Sequence, residues 1–210
     1  FYNPWRVDID DDGVVEHFTW ERKPLEVVTK LKGNGQRVRF INVHTKSKGI
    51  FDVVDLAGFQ NKALGNRKKL IAQASRLRER VDALMDAEES VVVLGDMNDG
   101  PGLDAYEQPL QRSFVETLMG SVFEPGRILH NVLFEVPQKD RWTADFPDPI
   151  VNNPLGRSHR VWIDHILCSR DLLDEQGGPR VIPGTAEIDK PDATARDASD
   201  HFAISCKVET

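Results

Sequence analysis

Cysteine is scarce in this 210-residue sequence, which holds only Cys168 and Cys206. Two thiols build neither a disulfide framework nor a Cys-type zinc centre. Both are expected to be free, because cysteine packs as a small buried apolar residue and bridge geometry is restrictive. No run of eighteen apolar residues occurs, so no membrane-spanning helix is expected. The opening FYNPWRVDIDDDG has neither a basic n-region nor an apolar h-region, so no retained signal peptide is expected. Cationic excess is missing too: 27 Lys and Arg face 34 Asp and Glu, a net charge of −7. That excludes a surface built as a whole for polyanions and leaves only a local basic patch for nucleic acid. Internal repeats and low-complexity tracts are absent. The 40% hydrophobic and 29% charged residues make an ordinary globular balance, which excludes wholesale disorder. The length is that of a single domain.

Five stretches read as strands. Leu25 to Thr29 and Gln36 to His44 are β-rich and flank Asn34-Gly35, a hairpin-turn dipeptide. Val38 and Phe40 alternate with Arg37 and Arg39, which predicts one wet face there. Ser90 to Asp96 is apolar on both faces, as a central strand is. Val161 to Ser169 and His201 to Val208 complete the set. Between them Leu70, Ile71, Ala74, Leu77, Val81, Leu84 and Met85 recur at helical spacing, with Asn66 as the expected N-cap. Strand, helix, buried strand is an α/β order. Arg67, Lys68 and Lys69 then crowd the first turn and Asp86, Glu88 and Glu89 the last, against the helix dipole. Two readings follow: screened surface charge, or a basic patch kept for an anionic ligand. Gly100 to Arg160 is irregular and proline-rich, long for a structureless loop.

Four polar clusters stand at strand ends: INVHTKSKG with His44, GDMNDG with Asp96 and Asn98, WIDHI with Asp164, and ASDHF with Asp200 and His201. Singly, each reads as turn or structural chemistry. Asp164 differs, because a carboxylate among Val, Trp, Ile and Leu is costly without a partner, and a histidine is the natural one. Together they suit metal-assisted phosphoester hydrolysis. Carboxylates hold a hard cation such as Mg²⁺, an Asp orients or deprotonates a water, and histidines bind phosphoryl oxygens and protonate the leaving group. His165, next to Asp164 in a strand, points to the opposite face and reads as structural. His17, His130 and His159 sit in no motif.

The ordered set NVH, GDMND, WIDHI and SDH resembles the endonuclease/exonuclease/phosphatase superfamily, from about Phe18 to the C-terminus. That superfamily includes deoxyribonuclease I-like nucleases, abasic-site endonucleases, neutral sphingomyelinases and inositol polyphosphate 5-phosphatases. HTKSKG, RWTADF and WIDHILCS look most like its bacterial, often extracellular, nuclease-type branch. The abasic-site branch has no His at the position of His44. The resemblance implies a deoxyribonuclease I-like α/β (α+β) fold, a two-sheet β-sandwich flanked by helices. It implies that Asp96 orients or activates the water, Asn98 holds a phosphate oxygen and Asp200 is a metal ligand. It further implies that His201 contacts phosphate and is oriented by Asp164, and that His44 is general acid or phosphate ligand. Lys46 and Lys48 are close enough in sequence to assist with phosphate charge. The implied cofactor is Mg²⁺, or Mn²⁺ or Ca²⁺, and the implied location is secreted or periplasmic.

The family's first strand, with an Asn and then a metal-binding Glu, has no counterpart here. Glu16, Glu21 and Glu26 sit in no matching motif, although Glu16 or Glu21 is an alternative occupant of the ligand position. Residues 1–210 are therefore expected to be one domain of this type, its C-terminal two-thirds. The leading reading is a metal-dependent phosphodiesterase, a nuclease acting on nucleic acid. Its alternatives are a phosphomonoesterase or lipid-headgroup phosphodiesterase of the same fold, and a non-catalytic binding module. Negative net charge favours a small or neutral substrate, whereas Lys46, Lys48 and the Arg67–Arg80 helix favour a polyanion.

Overall fold

The computed structural model describes residues 1–30, 35–50, 52–147, 158–173, 179–190 and 199–209. In chain order the strands and helices are β1 (Trp5–Val7), β2 (Glu16–Phe18), β3 (Leu25–Lys30), β4 (Arg37–His44), α1 (Leu56–Asp86), β5 (Ser90–Asp96) and α2 (Phe114–Met119). There follow β6 (His130–Asn131), β7 (Ala144–Pro147), β8 (Ser158–Val161), β9 (Asp164–Cys168), β10 (Arg180–Val181), β11 (Glu187–Asp189), β12 (Ala203–Ser205) and β13 (Val208–Glu209). A mixed five-stranded sheet in the order β3-β4-β5-β9-β6 is the centre. β4 and β5 pair in parallel across the α1 crossover, and the other neighbours pair antiparallel. Strands β1–β2, β7–β8, β10–β13 and β11–β12 add antiparallel pairs.

Period-two patterning covers both faces of this sheet. Ile41, Val43, Val91, Val93 and Leu167 share one core with Leu70, Ile71, Ala74, Leu77, Val81 and Leu84 of α1. Val38, Val92, Ile166 and Cys168 face the other way, against Leu172 and Val181. Each fully buried large aliphatic here stabilises the fold by about 1.5–3 kcal/mol. The predicted wet face of β4 is instead an ion-paired one: Arg39 bridges Glu26 (3.1 Å) and Glu89 (2.6 Å).

Several expectations are corrected. α1 starts at Leu56 with Asp55 as N-cap, its side chain accepting from the Gly58 N–H. Asn66 is a buried interior residue whose amide donates to the Gly49 carbonyl. Arg67, Lys68 and Lys69 are thus mid-helix and paired, with Asp104, with Asp10 and Glu16, and with Glu21. The stretch Val161 to Ser169 is two strands, because the chain changes partner: Val161 pairs with Ala144, and Asp164 with Asp96. His201 to Val208 likewise breaks, β12 pairing β11 and β13 pairing β10. The irregular stretch 100–160 contains α2, β6, β7 and short 3-10 turns. Asn34 of the expected turn, Pro149 and Pro154 lie outside the described residues. Both cysteines are free.

Candidate active site

Three neighbouring strands deliver side chains to one rim. β4 ends on His44, β5 ends on Asp96, and β9 begins on Asp164. Register sets them in a row, His44 opposite Asp96 and Asp96 opposite Asp164. All occupy the positions that alternate with the α1-facing core, so they share a face. His44 Nε2 lies 3.4 Å from Asp96 Oδ2.

Gly95 allows the row to form. Its φ is +121°, and a Cβ there would lie 2.2 Å from the Val43 carbonyl oxygen. Beyond it the chain turns sharply. The Asn98 backbone N–H donates to Asp96 Oδ1 (2.8 Å), and its side-chain amide donates to Asp96 Oδ2 (3.0 Å) and the Thr45 carbonyl (3.2 Å). Asn98 has φ +49°, a left-handed conformation that a short polar side chain tolerates. Both its amide hydrogens are engaged, so binding a phosphate oxygen requires releasing one of them.

Asp164 is 9% exposed, and its burial is offset by His201, whose Nδ1 donates to Asp164 Oδ2 at 2.9 Å. Thr143 Oγ1 accepts from the Ile163 and Asp164 N–H groups, at 3.1 and 3.0 Å. His201 is held by a bridge to Ala144 and lies edge-on to Phe146, with ring centroids 5.9 Å apart. Asp200 is exposed; its carbonyl accepts from the Asp145 N–H, and its carboxylate has no hydrogen-bond or ion-pair partner among the described residues. All six residues singled out in the sequence therefore gather at this rim.

The electrostatics are coupled. Burial pushes the Asp96 carboxyl above its ordinary value and the Asp164 carboxylate adds to that, against the Asn98 N–H and the two histidines. Burial works to lower His201, but the charge and hydrogen bond of Asp164, with Asp96 and Asp200, carry it above an ordinary histidine. The rim can therefore keep a protonated imidazole beside a carboxylate.

Other residues enter that sequence reasoning missed. Asp99 is 2% exposed and burial pushes its carboxyl up to about 6. Its signal lay inside GDMNDG, as the motif's second acid. Lys48 does not serve phosphate: its Nζ is spent on Asp99 (2.5 Å) and Glu107 (2.6 Å). His165 is fully buried between Asn131 and the Asp99 carbonyl, and burial pushes it down to about 4. Thr143 and Phe146 both lie inside RWTADF, whose composition gives no hint of their roles.

The residues present fit a hard divalent ion in kind but not in number. Asp200 is an open oxygen donor, yet a dedicated site needs several charged oxygens. Glu16 and Glu21 are held by Lys68 and Lys69, and Glu26 by Arg80 and Arg39. Among the described residues, the group of three or more ligating side chains close enough for one ion is Asp8, Asp10 and Asp12, on the β1–β2 turn rather than in this row.

No curated protein sequence matches the chain. Solved structures do. An AP endonuclease from Archaeoglobus fulgidus aligns with a TM-score of 0.51 and 17% identity, over 92% of this chain and 70% of that one. Truncated TDP2 from Caenorhabditis elegans gives 0.48 and 14%, over 97% and 64%. An endonuclease/exonuclease/phosphatase from Beutenbergia cavernae gives 0.48 and 17%, over 88% and 38%. The chain thus spans 64% and 38% of the latter two. At 17% identity the likeness to the AP endonuclease is one of fold, the deoxyribonuclease I-like α/β arrangement of mixed sheets and helices. The profile of the Endonuclease/Exonuclease/phosphatase family matches residues 20–201, which include the whole rim from His44 to His201, and the chain belongs to that family.

Proposed function

We propose that the rim is the active site of a phosphodiesterase that attacks with an activated water, a nuclease-type hydrolase. The observation that carries the reading is the contiguous row His44–Asp96–Asp164 with His201 closing it. Asp96 accepts a proton from, or orients, the attacking water. His201, whose cation the Asp164 carboxylate favours, offers Nε2–H to a phosphoryl oxygen, where charge builds in the transition state. His44 donates to a second oxygen or protonates the leaving group. Enzymes of this family generally use divalent metal ions, and Asp200 would give one carboxylate to such an ion, Mg²⁺ being the best match to carboxylate oxygen. Nucleic acid as substrate rests on the likeness of HTKSKG, RWTADF and WIDHILCS to the nuclease-type branch.

A second reading has an observation of its own. Six of the seven basic residues of α1, all but Lys62, are paired with acids: Arg67, Lys68, Lys69, Arg76, Arg78 and Arg80. That favours a small phosphoester or lipid headgroup. A panel of single- and double-stranded DNA, RNA, inositol phosphates, sphingomyelin and bis-nitrophenyl phosphate, each with Mg²⁺ and with EDTA, decides. Slow turnover of a nucleic acid and the nitrophenyl diester, lost with EDTA and with His201→Ala, is expected, since the rim alone supplies few charged oxygens for a metal ion. Hydrolysis of inositol phosphates or sphingomyelin alone selects the second reading. No turnover of any ester refutes both.

A further inference from the structure

The turn after β5 holds the proposed water-activating carboxylate, and its rigidity has a traceable source. We propose that Asp99 is a positioning residue, a hub that locks the Asp96–Asn98 turn against the segment following His44; this rests on the hydrolase reading above.

Every polar atom beyond the Asp99 backbone nitrogen is committed. Its carbonyl faces His165 Nε2 at 2.7 Å. Oδ1 accepts from Lys48 Nζ at 2.5 Å and from the Gly100 N–H at 2.9 Å. Oδ2 accepts from the Phe114 and Val115 N–H groups, at 2.6 and 3.3 Å, at the start of α2. One residue thus ties together the segment after β4, the turn after β5, strand β9 and α2.

The direction of the His165 bond is fixed by elimination. Asn131 Oδ1 accepts from the Leu133 N–H, so the Asn131 amide nitrogen is what lies 2.8 Å from His165 Nδ1. That nitrogen can only donate, so Nδ1 accepts and Nε2 carries the hydrogen. The hydrogen then points at the Asp99 carbonyl. Burial supports this by keeping the ring neutral. Lys48 is held from its other side by Glu107, whose side chain is 1% exposed. The chain just beyond is tight as well: a Cβ on Gly100 would lie 2.9 Å from the Trp162 carbonyl oxygen.

Asn98 immediately precedes Asp99, and its backbone N–H holds Asp96. Any slack at Asp99 therefore passes to the carboxylate that faces the water. A displacement of about 1 Å at a reacting group costs on the order of 10²-fold in rate. Asp99 touches no substrate in this scheme, so binding should be spared.

The test uses Asp99→Asn and, because a buried substitution can fail to fold, Lys48→Met, which breaks the same tie from its more exposed end. Two quantities are read on folded protein: hydrogen exchange of the Asn98 backbone amide, and kcat and KM on bis-nitrophenyl phosphate. Both variants should speed Asn98 exchange at least tenfold and lower kcat about 10–100-fold, with KM within about twofold. The double variant should be no worse than the worse single one. Unchanged Asn98 exchange overturns the proposal, whatever happens to kcat. A rise in KM at constant kcat also overturns it, since that marks a binding residue. Faster Asn98 exchange in a protein whose parent hydrolyses no ester refutes the hydrolase reading instead and leaves the loop-locking role of Asp99 standing.

Discussion

His165 should make this fold acid-sensitive in a way one substitution removes. Its ring is fully buried, and burial depresses its pKa from 6.5 to about 4. The unfolded chain therefore takes up a proton near pH 6.5 while the folded chain resists until near pH 4. The stability linked to this group is fully present above pH 6.5 and is lost as pH falls from 6.5 to 4. The gap of about 2.5 units at 1.36 kcal/mol each gives about 3 kcal/mol in all, of which about 2 kcal/mol is gone by pH 5. His165→Gln isolates the term, since its amide nitrogen can still reach the Asp99 carbonyl and it does not titrate. Urea unfolding of both proteins at pH 7, 6, 5 and 4.5 measures the difference. From pH 7 to pH 5 the parent should lose about 2 kcal/mol more than the variant, a midpoint shift of about 1 M at an ordinary urea slope. Parallel stability curves for the two proteins would refute the reasoning.

Three further outcomes follow from the geometry. Gly95→Ala places a Cβ 2.2 Å from the Val43 carbonyl oxygen at φ +121°, so it should cost more than about 3 kcal/mol in thermal or urea unfolding; a loss below about 1 kcal/mol would show that β4 can move aside. Asp164→Asn and His201→Ala should each lower kcat by about 10²–10⁴-fold, and the double variant should match the worse single one, because the pair acts as a unit; multiplicative losses would show independent roles. Alkylation in denaturant without reductant should add two labels by mass. In the native state Cys168, which burial pushes up to about 12, should label far more slowly than the half-exposed Cys206; no label in denaturant would reveal a disulfide.

Much of the central sheet was legible because its signals are local. SVVVLGD is apolar on both faces, and LEVVT and RVRFINVH carry plain β-branched runs. The strand-end clusters were legible because each ends a strand, and strand ends in one sheet share a rim. Helix α1 was read from its buried stripe alone, so its start was missed: Leu56 to Gly65 buries only Ala63, and Asp55 caps without a periodic pattern behind it. Breaks at Trp162–Ile163 and Cys206–Lys207 were invisible because a strand that changes partners keeps its composition. The basic run in α1 misled for a related reason. Its partners Asp10, Glu16, Glu21 and Asp104 are distant in sequence, and charge pairing across such distances leaves no local trace.

The outer strand of the central sheet sets how this chain behaves at high concentration. β3 pairs only with β4 and stands at the end of the strand order among the described residues. It leaves Leu25, Val27 and Val28 at 61%, 47% and 39% exposure. A row of open backbone donors and acceptors with apolar neighbours is a template for another strand. Net charge −7 opposes such pairing only while salt is low, since about 0.15 M salt screens charges beyond about 8 Å. Light scattering should therefore show this chain monodisperse in dilute buffer and self-associating as protein and salt rise together. Val27→Lys, one charge placed on that border, should restore monodispersity without touching the rim.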